Sequence, residues 1–409
     1  MLRFLTAGES HGRGLVVIVD GVPAGLDLDA TAMTRDLRRR QGGYGRGRRM
    51  AIELDTPVLL GGVRRGRTTG APVAITIENR DWVNWQKTMH PDAELPNDAT
   101  GTARAAVTRP RPGHADLAGA IKYGHDDVRD VLERASARET AARVAAGAVA
   151  RQILRQVGAD ITSHVLAIGP VAVPDGAVIT WDVIAALDDD SPTRCTDVHV
   201  AARMIDAIAA ARAAGDTLGG AFEVAARGIP PGLGSYVQWD RRLDGRLAQA
   251  LMSIPAIKGV GIGLGAGAGR RPGSETHDPL VPRMDGGPGH ASLPASRPTN
   301  HAGGLEGGVS NGEEIRVTAF MKPIATLMHP LPSVDLATLG RADAAIERSD
   351  VCAVPAASVV GEAMVAFVLA DAVLERFGGD TVADLRRHYD SWLTASRLRF
   401  AARPGDASS

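Results

Sequence analysis

Residues 8–23 read GESHGRGLVVIVDGVP, a glycine-rich turn followed by a run of aliphatic residues. The first five letters match G-x-S-x-G, the nucleophile elbow of many serine hydrolases, in which a strand leads to the serine and a helix follows it. Here LRFLTAG precedes the motif, and LVVIV, closed by Asp-Gly and Pro, follows it, so both flanks are typical of strands. An elbow needs a helix at this point. Ser10 is therefore not predicted to be a nucleophile, and His11 becomes the candidate.

The composition indicates a soluble, cytoplasmic protein. Of 409 residues, 44% are hydrophobic and 23% are charged, which is ordinary for a globular chain. Two cysteines, Cys195 and Cys352, cannot build a disulfide framework and fit a reducing compartment. The N-terminus does not resemble a signal peptide. The most apolar stretch, 351–374, is interrupted by a proline and two acidic residues and predicts no membrane span.

Arginine is concentrated between Arg35 and Arg67. This segment holds ten arginines against three acidic residues, a local net charge of +7 in a chain whose overall charge is −1. The planar guanidinium suits phosphate and carboxylate groups, which favours a site for a small anion. A nucleic-acid patch and a solvated surface are the alternatives. The single aromatic residue among these arginines, Tyr44, and the neutral overall charge disfavour nucleic acid.

Periodicity and capping residues predict a mixture of strands and helices in one catalytic domain, 1–400, with a disordered tail, 401–409. GLVVIVDGVPAGL (14–26) and GAFEVAARGIPPGLG (220–234) share a pattern that suggests an internal pseudo-repeat. Strands are predicted within 51–62 and 71–79, loops over 80–114 and 263–313, and helices over 28–43, 116–124, 139–158, 200–214 and 354–379.

Four stretches carry the residue types that anion chemistry needs: Ser10-His11, RPRPGHAD (109–116), ERASARET (133–140) and ERSD (347–350). Each alone also has an ordinary structural interpretation. GVGIGLGAGAG (259–269) contains G-x-G-x-x-A, but a loop rather than a helix follows it, which excludes a dinucleotide fingerprint. No Cys/His spacing predicts a metal site.

Taken together, these stretches resemble the chorismate synthase family. GESHGRGLVVIVDGVP (8–23), ERASARETAARVAAGAV (133–149) and RSDVCAVPAASVVGEAM (348–364) are similar to its signature blocks, and the resemblance runs from Met1 to about residue 390. It implies an α+β fold, a β-α-β sandwich, usually assembled as a homotetramer. It also implies a lyase of the shikimate pathway that forms chorismate and phosphate from 5-enolpyruvylshikimate-3-phosphate by 1,4-elimination. The implied cofactor is reduced FMN, with NADPH or an external flavin reductase as electron source.

The resemblance also implies site residues. His11 would protonate the leaving phosphate, His114 would act on the flavin, and Asp350 would help the flavin accept the substrate proton. The implied flavin contacts are Arg134, Ala135, Ser136, Ala256, Gly307, Lys322, Pro323, Ile324, Ala325, Thr326 and Arg348. The implied substrate contacts are Ser10, Arg40, Arg46, Arg49, Arg111 and Arg138, of which Arg40 and Arg46 would alternatively hold a nicotinamide nucleotide.

The sequence departs from the family pattern at Pro255, Gly261 and Leu264, where the family usually has an amide residue and acidic residues. These departures concern the flavin contact near residue 255. The alternative functions are an FMN oxidoreductase, which would show net hydride transfer, and a nucleic-acid-binding module, which would bind DNA with a steep salt dependence.

Overall fold

The structure is a computed structural model that describes residues 1–47, 52–283, 290, 292–347 and 349–400. The strands are β1 (Arg3–Ala7), β2 (Gly14–Asp20), β3 (Pro57–Gly61), β4 (Val63–Arg64), β5 (Arg67–Thr68), β6 (Val73–Glu78), β7 (Asp160–Ile168), β8 (Val171–Ala172), β9 (Gly220–Arg227), β10 (Ile257–Ile262), β11 (Val281–Pro282), β12 (Ala295–Ser296), β13 (Leu305–Glu306), β14 (Val309–Ser310), β15 (Ile315–Met321), β16 (Pro332–Val334) and β17 (Arg341–Asp343). The helices are α1 (Ala30–Gln41), α2 (Gln86–Met89), α3 (Asp116–Tyr123), α4 (Arg129–Arg134), α5 (Thr140–Arg155), α6 (Trp181–Ala185), α7 (Val198–Ala213), α8 (Leu243–Met252), α9 (Gly273–Thr276), α10 (Val354–Phe377) and α11 (Val382–Arg399).

The N-terminal sheet is antiparallel, in the order β1-β2-β6-β3. Side chains alternate across it, so Leu15, Val17 and Val19 of β2 are buried while Ile18 faces outward. The GESHG turn joins β1 to β2, and β2 begins at Gly14. A strand therefore follows Ser10, as predicted, and the helix of a hydrolase elbow is absent from this described segment.

The second sheet is also antiparallel, in the order β10-β15-β9-β7-β8. Strand β9 of this sheet carries the second copy of the predicted pseudo-repeat. The backbone conformation is similar in the two copies. Gly21 and Gly228, which follow β2 and β9, both have positive φ, and so do Gly25 and Gly232 four residues later. A side chain at Gly228 would also collide with the carbonyl of Gly158, 2.3 Å from the added Cβ.

Three helices, α1, α5 and α10, lie between the two sheets. Helix α5 packs on β2 of the first sheet, α10 packs on β7 and β9 of the second, and α5 and α10 contact each other along their lengths. The expected α+β class and β-α-β sandwich are thus confirmed. Helix α10 is long and apolar enough to cross a membrane by composition alone, but most of its apolar stretch is buried inside the protein.

Helix α1 begins and ends as its sequence predicts. The Asp29 carboxylate caps it by accepting from the backbone N–H groups of Thr31 (2.8 Å) and Ala32 (3.1 Å), and Gly42 follows its last residue. The long α5 and α10 are confirmed as well. The predicted loop 80–114 contains a 3-10 turn, Arg80–Asn84, and α2, while the elements in the described part of 263–313 are all short.

A buried ionic cluster fixes α1 against α10. The Glu362 carboxylate of α10 accepts hydrogen bonds from Arg39 of α1 (2.7 and 2.8 Å), Arg151 of α5 (2.8 Å) and Arg194 (3.1 Å). Burial alone would raise the pKa of Glu362, but the three guanidinium groups hold it well below its ordinary value. This contact sets the rotation of α1, and the next residue, Arg40, points about 100° away from Arg39 and lines the site described below.

Candidate active site

A cavity of about 480 Å³ opens where the GESHG turn, the segment before α5, the end of β15 and the start of α10 meet. Most of the residues that the sequence proposed for the site line it together. They are Ser10, His11, Arg40, Arg46, Arg111, His114, Ala135, Ser136, Arg138, Ala256, Lys322, Pro323, Ile324, Ala325, Thr326 and Asp350. Residues separated by more than 300 positions in the chain therefore form one concave site.

His11 is held from two sides. Its Nδ1 atom lies 2.8 Å from Oε1 of Glu133, whose side chain is fully buried, and its backbone N–H donates to Oε2 of the same carboxylate at 2.8 Å. The imidazole also stacks on the buried indole of Trp85, with ring centroids 3.8 Å apart. The guanidinium of Arg104 lies 3.8 Å from the centroid of the Trp85 ring. A hydrogen bond and an aromatic stack thus fix the ring.

His114 is held by a second buried carboxylate. Its Nδ1 atom is 2.5 Å from Oδ1 of Asp116. The Asp116 carboxylate also accepts from the Arg111 guanidinium at 2.8 and 3.1 Å, and a third nitrogen of that guanidinium donates to Thr326 Oγ1 at 3.0 Å. The RPGHAD loop is therefore tied to the segment that follows β15.

Two buried arginines, Arg40 and Arg138, line the cavity near the start of α5. Arg138 donates to Asp55 Oδ1 at 2.5 Å and to Asn79 Oδ1 at 2.9 Å, while Arg40 lies 3.5 Å from Asp55 Oδ2. Arg40 also donates to Thr140 Oγ1 at 2.9 Å. Burial lowers the pKa of Arg40 to about 10, with Asp55 opposing the change, so the guanidinium stays cationic at neutral pH.

Arg46 and Asp350, which both line the cavity, form an ion pair. The Asp350 carboxylate accepts from the Arg46 guanidinium and, at 2.6 Å, from the backbone N–H of Gly47. A Cβ at Gly47 would stand 3.0 Å from the carbonyl oxygen of Ser349, so this close approach favours glycine.

The arginine-rich segment is more dispersed than its sequence suggested. Of its described arginines, only Arg40 and Arg46 line the cavity. Successive positions on a helix point about 100° apart, so Arg38 pairs with an exposed acid and Arg39 with the buried Glu362. Arg35 and Arg67 also pair with acids away from the site. The local charge of +7 is therefore not presented to one ligand.

Apolar and small residues line another part of the cavity. Leu132, Ala135, Ala137, Ile254, Ala353, Ala356 and Val360 belong to this set. Lys322 adds a cation and donates to the carbonyl of Gly113. Pro255 and Ala256 lie in the lining, whereas the departures at Gly261 and Leu264 lie outside it. Ala256 has φ +69°, an uncommon conformation for a residue with a side chain, and its carbonyl accepts from Lys322 N at 2.9 Å.

Two of the proposed contacts that the structure describes, Arg134 and Gly307, are not in this lining. Arg134 is exposed and donates to the carbonyls of Thr6 and Gly8 at 2.9 Å. Gly307 lies in the turn between β13 and β14, where its carbonyl accepts from Arg242 at 3.1 Å. Arg49 and Arg348 lie outside the described residues.

Three contributors escaped the sequence-based selection: Glu133, Asp116 and Trp85. Glu133 and Asp116 stand inside stretches that were singled out, ERASARET and RPGHAD, and each pairs with a histidine. The position of Asp116 two residues after His114 could have indicated that this acid pairs with the histidine. Trp85 sits in the irregular 80–114 segment, and its sequence neighbourhood gives no signal for its stack on His11.

Paired histidines and carboxylates, cations and an apolar wall in one cavity define an acid–base enzyme for an anionic small molecule. A family model for chorismate synthase matches residues 2–374. A chorismate synthase from Moorella thermoacetica is 59% identical over 382 residues, 93% of this chain and 95% of the relative. One from Desulforudis audaxviator is 55% identical over 403 residues, 98% of this chain and all of the relative.

A crystal structure of chorismate synthase, 40% identical, superposes with a TM-score of 0.75 and covers 97% of this chain and 98% of its own. The chain belongs to the chorismate synthase family. That membership makes it a lyase of the shikimate pathway that acts on a phosphate-bearing substrate.

Proposed function

We propose that the chain converts 5-enolpyruvylshikimate-3-phosphate to chorismate and phosphate by 1,4-elimination, with reduced FMN bound in the 480 Å³ cavity. The observation that carries the proposal is the convergence of His11, His114 and Asp350 with four arginines and a lysine around that one cavity. The substrate has one phosphate and two carboxylates, and guanidinium groups bind both kinds of anion strongly.

The residues present suit reduced FMN. The alanines and aliphatic residues of the lining provide an apolar surface for a planar ring system, and cavities of this size hold ligands of that class. Ser136 offers a hydroxyl, and Lys322 with the segment that follows it offers a cation and backbone groups. When bound, reduced FMN supplies electron density transiently to a reaction with no net redox change.

The protein's own groups hold and move the protons. His11 gives a proton to the departing phosphate, and its hydrogen bond to the carboxylate of Glu133 holds the ring in place for that transfer. Arg46, Arg40 and Arg138 bind the anionic groups of the substrate. Asp350, which pairs with Arg46 in the lining, would help the bound flavin accept the proton that leaves carbon, and His114, in the same lining, would act on the reduced flavin.

We further propose a homotetramer of single-domain chains, 1–400, in the cytoplasm. The outer face of the N-terminal sheet supports association, because Leu5, Ile18, Val58 and Leu60 are exposed on it. An external flavin reductase, or NADPH held at Arg40 and Arg46, supplies the electrons.

Phosphate release from 5-enolpyruvylshikimate-3-phosphate, with and without photoreduced FMN, tests the proposal. Release that requires reduced flavin while consuming no stoichiometric reductant is expected. Release that ignores flavin, or stoichiometric oxidation of the flavin with product formation, would contradict it; the second result would point to an FMN oxidoreductase.

A further inference from the structure

We infer that Glu133 is a positioning residue for His11, an inference that rests on the function proposed above. Glu133 lies in the last turn of α4, two residues before the proposed flavin contact Ala135, and its side chain is fully buried. It therefore joins the histidine to the segment on which the cofactor is proposed to lie.

Three hydrogen bonds link Glu133 to the GESHG turn. Its backbone carbonyl accepts from Ser10 N at 3.0 Å, its Oε2 from His11 N at 2.8 Å, and its Oε1 lies 2.8 Å from His11 Nδ1. One residue thus orients both the backbone and the ring of His11. The guanidinium of Arg129 lies 3.8 Å from Oε1 of the same carboxylate, so the His11 contacts are shorter than this ion pair.

The stack on Trp85 restricts the remaining freedom of the ring. With centroids 3.8 Å apart and planes inclined by 19°, the indole fixes the plane of the imidazole, while Glu133 fixes its rotation within that plane. Nδ1 is turned toward the protein interior. Nε2 therefore lies at the far side of the ring from the carboxylate, in a residue that lines the cavity.

This arrangement specifies which nitrogen exchanges the proton. In neutral His11, the proton resides on Nδ1 and is donated to Glu133. In the cation, both nitrogens carry protons, and the Nε2 proton passes to a phosphate oxygen as the C–O electron pair leaves with the phosphate. His11 then returns to the neutral Nδ1–H form, with Nδ1 still facing Glu133.

A double-mutant cycle tests whether Glu133 acts through His11. Glu133→Gln keeps the size of the side chain but cannot accept from both N–H groups, since one amide end is a donor. We expect phosphate release to slow on the order of 10²-fold with KM nearly unchanged, and no further loss when the change is added to His11→Ala. An equal loss in the His11→Ala background, or no loss alone, would overturn the inference.

A matched control exists in the second sheet. His164 Nε2 lies 3.0 Å from Oε1 of Glu223, which pairs a buried histidine with a half-buried carboxylate outside the cavity. Glu223→Gln is expected to leave turnover within about twofold of wild type, because most changes away from the site act on stability rather than on the reaction. A 10²-fold loss of turnover in this control would mean that the effect of Glu133→Gln can arise from general disturbance of the fold, and it would overturn the inference.

A measurement without substrate separates this inference from the proposed function. Ring-nitrogen NMR of the ligand-free wild-type protein, with His11 assigned by comparison with His11→Ala, should show the neutral ring as the Nδ1–H form. The Nε2–H form would overturn the positioning role even if phosphate release is normal. Conversely, a wild-type protein with Nδ1–H at His11 and no flavin-dependent phosphate release would contradict only the proposed function.

Discussion

The Nδ1 atom of His114 lies 2.5 Å from Oδ1 of Asp116, and the same carboxylate accepts two hydrogen bonds from the guanidinium of Arg111. Burial alone would raise the pKa of Asp116, but the hydrogen bonds from His114 and Arg111 outweigh burial and hold it well below its ordinary value of 3.8. The carboxylate is therefore ionised wherever the protein is folded under ordinary conditions.

Asp116 should make the folded protein sensitive to acid. Because its pKa is lower in the folded state than in the unfolded chain, its stabilisation is complete above 3.8 and is lost as the pH falls below that value. We expect the free energy of unfolding, measured in urea, to decrease between about pH 5 and pH 2. Asp116→Asn should weaken this dependence, whereas Asn at the exposed Asp240 should not. A wild-type pH slope in Asp116→Asn would contradict the assignment.

The contact between α5 and α10 should be intolerant of any added side chain at Gly147. A Cβ there would lie 2.3 Å from the Cβ and 2.4 Å from the Cα of Ala363. Overpacking costs about 1–3 kcal/mol, and the higher helix propensity of alanine returns only about 1 kcal/mol. Gly147→Ala is expected to lower the melting temperature. Gly245→Ala in α8, where a Cβ meets nothing within 4 Å, should raise it. The prediction fails if both substitutions stabilise.

Strand alternation, caps and glycines predicted some elements of this fold, including α1, α5 and α10, but not how the elements pack together. Asp29 and Gly42 delimit α1, as expected. The burial of Glu362 among three arginines from distant segments was not predictable, since no local pattern shows that an acid within an apolar helix meets them. The sandwich was expected from the family resemblance rather than from periodicity.

Reduced FMN should bind less tightly when the cavity loses either space or positive charge. Ser136→Trp places a bulky group in the lining, and Lys322→Glu reverses the charge that faces an anionic cofactor. We expect each to weaken flavin binding at least about tenfold, equivalent to about 1.4 kcal/mol. Fluorescence titration with FMN in the presence of substrate measures it. Lys258→Glu, at an exposed position on β10, is the control. Unchanged affinity in both cavity variants would place the flavin elsewhere.

The sequence predicted the cations and histidines of the candidate site but not the carboxylates that pair with the histidines. Sequence reasoning took the arginines as one anion-binding patch, but helix rotation sends Arg38, Arg39 and Arg40 to three different environments. Partner carboxylates such as Glu133 and Asp116 become visible only once the chain is folded, because hydrogen bonding depends on distances that sequence spacing does not give.

Arg46 and Arg40 should respond differently to substitution. Arg46→Ala removes one charge-assisted contact to a substrate anion, which costs about 1.5–3 kcal/mol, or roughly tenfold to a hundredfold in KM. Lysine should restore only part of this, because it lacks the planar fork. Arg40 is buried and contacts Asp55 and Thr140, so Arg40→Ala should also lower the melting temperature. Exposed Arg64→Ala is the control. A wild-type KM in Arg46→Ala would show that Arg46 does not bind the substrate and that its role is structural.

His11, rather than Ser10, should be essential for turnover. The Ser10 hydroxyl is buried and accepts a hydrogen bond from Ser136 Oγ at 3.2 Å, while the His11 ring is held by Glu133 and Trp85 at the cavity. Removing a general acid typically slows a reaction about 10²–10⁴-fold. We therefore expect His11→Ala to lower the rate of phosphate release by that order with substrate binding nearly intact. Ser10→Ala should cost less than about tenfold, the effect of one neutral hydrogen bond. Steady-state rates at saturating substrate and reduced FMN compare the two variants directly. An inactive Ser10→Ala beside a nearly normal His11→Ala would instead make the serine the reacting group.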